Sequence, residues 1–334
     1  MIVTLTPNPS LDRTVALPGP LVRGGVNRLT SVVTDPGGKG VNVARVLVSS
    51  GAEVTTVLPA AEHDPLRAAL DAVAQPGLTV TAVTVPGAAR VNTAVTEPDG
   101  TTTKINEPGA ELGQAGRAAI EEALLAAVGA GGRTGEGDGA GWAILSGSLP
   151  PGAPTDWYAR LVTLLRPTGV SIAVDTSDAP LAALAAALPD AAPDLIKPNG
   201  EELGQLAGLP AERAMALEDG ALAGDLAPVV DAARVLVDRG VTAVMATLGP
   251  AGGVLVTAEG AWHAPAPAID VVSTVGAGDS SVAGYVLADT RGDDPADRLA
   301  TAMLYGSAAA SLPGTTLPTP ADLPGAPPAV TRLA

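Results

Sequence analysis

Short, β-branched and almost wholly apolar runs alternate along most of the chain with Ala- and Leu-rich stretches of helical period. The runs at Ile2–Leu5, Val54–Leu58, Leu78–Val85, Trp142–Ser146, Ser171–Asp175, Asp194–Ile196 and Ala243–Leu248 predict strands. Helices are predicted at Gly40–Ser50, Asp64–Ala74, Ala115–Val128, Thr155–Leu165, Leu181–Leu188 and Ala227–Arg239. Strands that are apolar at nearly every position are covered on both faces, as crossover helices cover a parallel sheet. The pattern therefore predicts an α/β fold, a doubly wound, mostly parallel sheet flanked by helices.

Two segments break the rhythm. Thr14 to Thr34 is β-rich but not continuously apolar, and Arg90 to Asn106 reads as a hairpin turning at Pro98-Asp99-Gly100. Both predict a small β-sheet projecting from the main one, a lid of about 13–34 and 90–106 on one domain spanning 1–334. The Gly-rich tract 129–141 reads as a surface loop with no chemistry of its own.

Composition narrows the possible functions. A net charge of 19 − 35 = −16 argues against a nucleic-acid or anionic-membrane surface, so an anionic ligand must be held by a few local cations or by backbone N–H groups. The absence of Cys removes thiolate nucleophiles, disulfides and Cys-based zinc sites, and two isolated histidines leave little room for a metal cluster or a Ser-His-Asp triad. The first strand lacks the flanks of a signal peptide, and apolar runs are interrupted before membrane-spanning length, so a cytoplasmic protein is expected.

Candidate chemistry lies first in Val271–Gly284. It reads as a β-branched strand end, a glycine turn at Gly276-Ala277-Gly278, and a helix from Ser280 to Leu287 with Asp279 at its start. Glycines let successive N–H groups converge, and a helix start adds unsatisfied donors and a positive dipole end, which makes an anion site. A carboxylate there fits a base that takes a hydroxyl proton while the N–H cluster stabilises a transferring phosphoryl group; simple helix capping is the alternative. Four further motifs leave or follow predicted strands. They are Thr6–Asp12, Asp35–Ala44 with Gly37-Gly38-Lys39 and Asn42, Ser146–Gly152, and Lys197–Leu203, joined by a fifth at Thr247–Gly253. Loops at the C-terminal ends of strands gather along one rim of a doubly wound sheet, where ligands bind. A P-loop is excluded because Gly38-Lys39 is followed by Gly40, and no G-x-G-x-x-G follows the first strand.

This set of motifs resembles the ribokinase-like (PfkB-type) carbohydrate kinases, and within them the branch acting on phosphorylated hexoses. Asn8-Pro9-Ser10-Leu11-Asp12, Arg90-x-Asn92 and Ser273–Ser280 point to the members that phosphorylate fructose 1-phosphate. The resemblance implies ATP and Mg2+ and the conversion of D-fructose 1-phosphate to D-fructose 1,6-bisphosphate. Fructose 6-phosphate and tagatose 6-phosphate are rival acceptors, and a non-catalytic sugar-phosphate-binding regulator is the rival of another class. It implies Asp279 as base with Gly276, Ala277 and Gly278 as anion hole. Asp12, Gly37, Gly38, Lys39, Asn42, Arg90, Asn92 and Lys104 would bind the sugar phosphate, with Arg28 a further lid cation; Lys39 could equally serve the transferring group. Lys197, Asn199, Thr247, Gly249 and Gly252 would bind ATP, and Glu202 would hold magnesium through water. Arg90 and Lys104 are expected to approach each other across the hairpin. Asp12, Lys197, Asn199 and Glu202 also admit plainer readings as a turn residue, a surface lysine, a helix cap and an exposed helix carboxylate. Where the resemblance leads to a lysine two positions beyond Asn92, this chain has Ala94. A lid with free edges further implies a homodimer through that sheet.

Overall fold

The computed structural model describes residues 1–131 and 141–333. In chain order its elements are β1 (Ile2–Leu5), β2 (Ser10–Ala16), β3 (Ser31–Gly37), α1 (Lys39–Ser49), β4 (Val54–Ala60), α2 (Pro65–Ala72), β5 (Leu78–Thr84), β6 (Arg90–Thr96), β7 (Thr102–Asn106) and α3 (Gln114–Gly131). After the undescribed residues come β8 (Trp142–Ser146), α4 (Trp157–Leu165), β9 (Ser171–Asp175), α5 (Asp178–Ala186), β10 (Leu195–Ile196), α6 (Gly200–Leu206), α7 (Ala211–Leu222) and α8 (Ala227–Val237). The chain closes with β11 (Ala243–Thr247), β12 (Gly253–Thr257), β13 (Gly260–Ala264), α9 (Ala277–Thr290), α10 (Pro295–Ala310) and β14 (Thr331–Arg332).

The large sheet has the order β14-β13-β12-β11-β10-β9-β8-β1-β4-β5. From β5 to β11 neighbours run parallel; β12, β13 and β14 add an antiparallel edge. The apolar strands earn their double covering because alternate residues feed two cores. Val3, Leu5, Ala143 and Leu145 pack with α3 to α8, while Ile2, Trp142 and Ile144 pack with α1, α9 and α10. The direction of winding reverses between β1 and β8, so the loops after these strands diverge and leave a crevice.

The small sheet has the order β3-β2-β6-β7 and runs from Ser10 to Gly37 and from Arg90 to Asn106, so that Asp12 and Gly37 are strand residues. Its β6–β7 turn is closed by the Glu97 N–H on the Thr101 carbonyl and the Gly100 N–H on that of Glu97. One expectation fails. Val271 to Thr274 is not a strand end; the stretch from Pro265 to Val275 is irregular, with Val271 and Val272 exposed, because β13 is already paired on both sides, by β12 and β14, and offers it no ladder. The Gly-rich tract begins as the last turn of α3, and its residues 132–140 lie outside the described residues. Among the described residues no helix is long and apolar enough to cross a membrane.

Candidate active site

Helix α9 starts from Gly276, whose φ of 77° is the left-handed conformation glycine tolerates best. No side chain caps this helix, so Asp279 does not serve as its cap. Asp279 is instead buried and held by α1: Lys39 Nζ lies 3.1 Å from Oδ1, and Asn42 Nδ2 donates to Oδ2 at 2.9 Å. Lys39 and Asn42 stand three residues apart and so share one helix face. Gly38 makes this approach possible. At φ 105° it turns β3 into α1, and a Cβ there would stand 2.7 Å from Thr6 Cγ2 and 3.1 Å from Pro9 Cα.

A residue not singled out in the sequence completes the cluster. Asp175, at the end of β9, is buried and pairs with Lys39 at 3.1 Å and Lys197 at 3.4 Å. Burial alone would raise its pKa, but Lys197 and Lys39 more than offset that and hold the carboxylate below the usual range. For Lys39, burial works against the ammonium, yet Asp175 and Asp279 raise it above the ordinary lysine value. The signal in the sequence was only a lone carboxylate at a strand end, which reads equally as a turn residue. Lys197 Nζ lies 3.0 Å from where a Cβ on Gly278 would stand, which puts an ammonium against the glycine turn of α9.

Thr247, Gly249 and Gly252 line a pocket of ≈ 520 Å³ that also takes in Ala277 and Gly278. The residues that line it carry no ionisable side chain. Asn199 and Glu202 behave first as a capping box for α6: Asn199 Oδ1 accepts from the Glu202 N–H at 2.7 Å and Glu202 Oε2 from the Asn199 N–H at 2.9 Å. The plain reading of Asn199 as a helix cap is therefore realised in this structure. Among the described residues no cluster of three or more His, Cys, Asp or Glu could hold a metal ion.

In the small sheet, strand register puts Asp35, Asp12, Asn92 and Asn106 in one row across β3, β2, β6 and β7. Asp12 Oδ1 accepts from Ser10 Oγ at 2.7 Å and Asn92 Nδ2 at 3.0 Å, and a Cβ on Gly37 would overlap its carboxylate. Arg90 is half-buried, its Nε is without a partner, and burial lowers its pKa against the pull of Asp12. It lines a cleft with Asn8, Ser148 and Ser177. Lys104 does not approach Arg90 as expected. The five-residue turn sets Asn92 against Asn106, so Lys104 pairs with Ala94, four residues and about 13 Å along the strand from Arg90. Lys104 thus shares a face with Asn92 and stands beside Ala94. Arg28 is exposed in the loop between β2 and β3.

The family model for pfkB family carbohydrate kinases matches residues 6–322. The chain is a pfkB family carbohydrate kinase. It is 39% identical over 311 residues to the 1-phosphofructokinase of Rhodobacter capsulatus, covering 92% of this chain and 90% of that one. To the 1-phosphofructokinase of Xanthomonas campestris it is 35% identical, covering 90% and 88%. Phosphofructokinase-2 from Escherichia coli, solved in complex with substrates and products, superposes with a TM-score of 0.80 at 29% identity over 96% of each chain. A carbohydrate kinase of this family takes ATP as co-substrate and a small-molecule acceptor.

Proposed function

We propose that this kinase transfers the γ-phosphoryl group of ATP to the free hydroxymethyl group of D-fructose 1-phosphate, giving D-fructose 1,6-bisphosphate. The observation that carries the reading is the position of Asp279. It stands at the first turn of α9, between the uncharged pocket that takes in Ala277 and Gly278 and the α1 residues that follow the Gly37-Gly38 turn. Asp279 accepts the proton of the attacking hydroxyl, Asn42 orients its second oxygen, and the N–H groups of Gly276, Ala277 and Gly278 stabilise charge on the transferring group. Lys39 and Lys197, held by Asp175, flank that group and offset its charge. Asp12 and Asn92 take sugar hydroxyls. Arg90 takes the acceptor's phosphate, with Lys104 as the nearest lysine on the same face. Thr247, Gly249 and Gly252 enclose the nucleoside. Glu202 would hold magnesium through water, and the ion would supply charge neutralisation on the ATP phosphates. The small sheet acts as a lid, and two lids pair in a homodimer.

A coupled ADP-release assay across fructose 1-phosphate, fructose 6-phosphate, tagatose 6-phosphate, fructose and ribose tests the reading. The highest kcat/KM is expected on fructose 1-phosphate. A higher value on either 6-phosphate would reassign the acceptor, and no turnover on any would leave only the binding function.

A further inference from the structure

Strand β3 leads into the Gly37-Gly38 turn and then α1, so whatever fixes β3 also fixes the approach of Lys39 and Asn42 to Asp279. Asp35 lies directly opposite Asp12 in the β2–β3 register. Two carboxylates facing each other across strands repel. Arg45, three residues beyond Asn42 on α1, answers both: burial lowers its pKa, Asp35 and Asp12 oppose that, and its Nη1 donates to the Pro36 carbonyl at 3.3 Å.

Asp35 also reaches the far end of the chain. Its Oδ2 accepts from Thr315 Oγ1 at 3.2 Å, across 280 positions of sequence. Thr315 belongs to the segment 311–317 that follows α10, and this segment holds the loop before the glycine turn. The Gly314 carbonyl accepts from Ser273 Oγ at 2.9 Å, and Ser273 Oγ accepts from the Val275 N–H at 3.3 Å. Leu317 Cδ2 lies 3.4 Å from where a Cβ on Gly276 would stand. On its other side, a Cβ on Gly314 would stand 3.6 Å from Thr14 Oγ1, a buried hydroxyl of β2 without a partner. One short segment therefore touches both the sheet that carries Asp12 and the loop that shapes the anion hole.

We propose that Asp35 and Thr315 are positioning residues that couple the two substrates, so that settling the small sheet on the sugar phosphate also sets the glycine turn for the ATP phosphates. The inference rests on the proposed function. Such coupling is reciprocal: the sugar phosphate tightens ATP by the factor by which ATP tightens the sugar phosphate.

The test is calorimetric titration of the β,γ-imido analogue of ATP, with and without saturating fructose 1-phosphate. Wild type should show tightening of about 5- to 150-fold, the usual range of coupling between sites. In Thr315→Val, which keeps shape and loses the hydroxyl, the factor should fall towards one while each ligand alone binds within about twofold of wild type. Thr315→Ser should restore it. A merely structural role would instead weaken each ligand alone or lower the melting temperature. Should Thr315→Val fail to fold, hydrogen exchange on wild type decides: fructose 1-phosphate alone must slow the amides of Val275 to Gly278. Wild-type coupling in Thr315→Val, or amides indifferent to the sugar phosphate, overturns the proposal. If wild type turns over a different ketohexose phosphate, the acceptor assignment falls and the same titration is run with that sugar.

Discussion

At the scale of single residues, the carboxylates at the centre of the site have distinct environments. Asp279 is bound from α1 on both oxygens, which fixes its orientation before any substrate arrives. Asp279→Asn keeps that size and removes the base, so turnover should fall roughly 10²–10⁴-fold while ATP analogue affinity survives, as pre-steady-state turnover and titration would show. Near-full activity in that variant would remove Asp279 from the chemistry. Arg90, whose buried Nε has no partner, is the side chain proposed to take the acceptor's phosphate. Loss of one charge-assisted contact costs ~1.5–3 kcal/mol, so Arg90→Ala should lower kcat/KM on fructose 1-phosphate about 10- to 150-fold and change activity on unphosphorylated fructose much less. Equal losses on both would mean that Arg90 shapes the cleft and does not read the phosphate. Residues in runs with a backbone meaning, such as Gly38 and Gly276, were legible in the sequence because few other residues suit their positive-φ conformations. Asp175 was not, since its role depends on two lysines that meet it only in the fold, one of them 136 positions away. The Arg90–Lys104 distance was misjudged for a related reason: a hairpin turn is easy to recognise, but its length decides the register, and here the register sets Lys104 against Ala94.

At the scale of elements, the parallel strands and their helices followed directly from alternation of apolar runs, because double burial leaves little freedom in composition. The segment from Pro265 to Val275 did not, since Val271 and Val272 are β-branched yet exposed, and β propensity forms no strand where no neighbour offers a ladder. Two glycines beside the site make opposite predictions. At Gly38 the φ of 105° and the backbone of Pro9 at 3.1 Å both resist a side chain, so Gly38→Ala should lower both stability and activity. At Gly278 an added Cβ meets the end of Lys197, a flexible side chain that can step aside. Gly278→Ala should therefore keep its melting temperature within a few degrees and lose turnover, because the ammonium leaves its place beside the glycine turn. Parallel unfolding curves and kinetics for the two variants separate these outcomes. An equal loss of stability at Gly278 would show that the turn, and not Lys197, is what the methyl disturbs.

At the scale of the whole molecule, the buried ionisable groups bound the pH range of stability. Asp175 is held below its ordinary value, so its contribution is present above about pH 4 and is lost as pH falls through its folded-state value. Burial raises Tyr158, and it pushes Tyr285 up to about 12. Their contribution is complete below about pH 10 and lost as pH rises beyond it. Lys39, also raised, acts in the same direction. Melting temperature should thus be level between these limits and fall on both sides, and Tyr158→Phe should flatten the alkaline limb; an alkaline limb unchanged in that variant would assign it to other groups. The remaining whole-molecule expectation is association. The small sheet leaves β3 and β7 as free edges, and Val32, Val33 and Ile105 on them are exposed, as are Val22, Val26 and Leu29 in the loop from β2 to β3. Val26 is 82% exposed. Open edges carrying apolar side chains invite pairing with another strand, and a two-fold pairing of like sheets closes both sets of edges at once. Light scattering at micromolar concentration should give twice the chain mass of 32.7 kDa. Val32→Asp, which puts a charge on the β3 edge and touches no residue assigned to the site, should shift the mass towards one chain. A single-chain mass for the wild type, or a dimer indifferent to Val32→Asp and to a second charge at Ile105, would place the association elsewhere or nowhere.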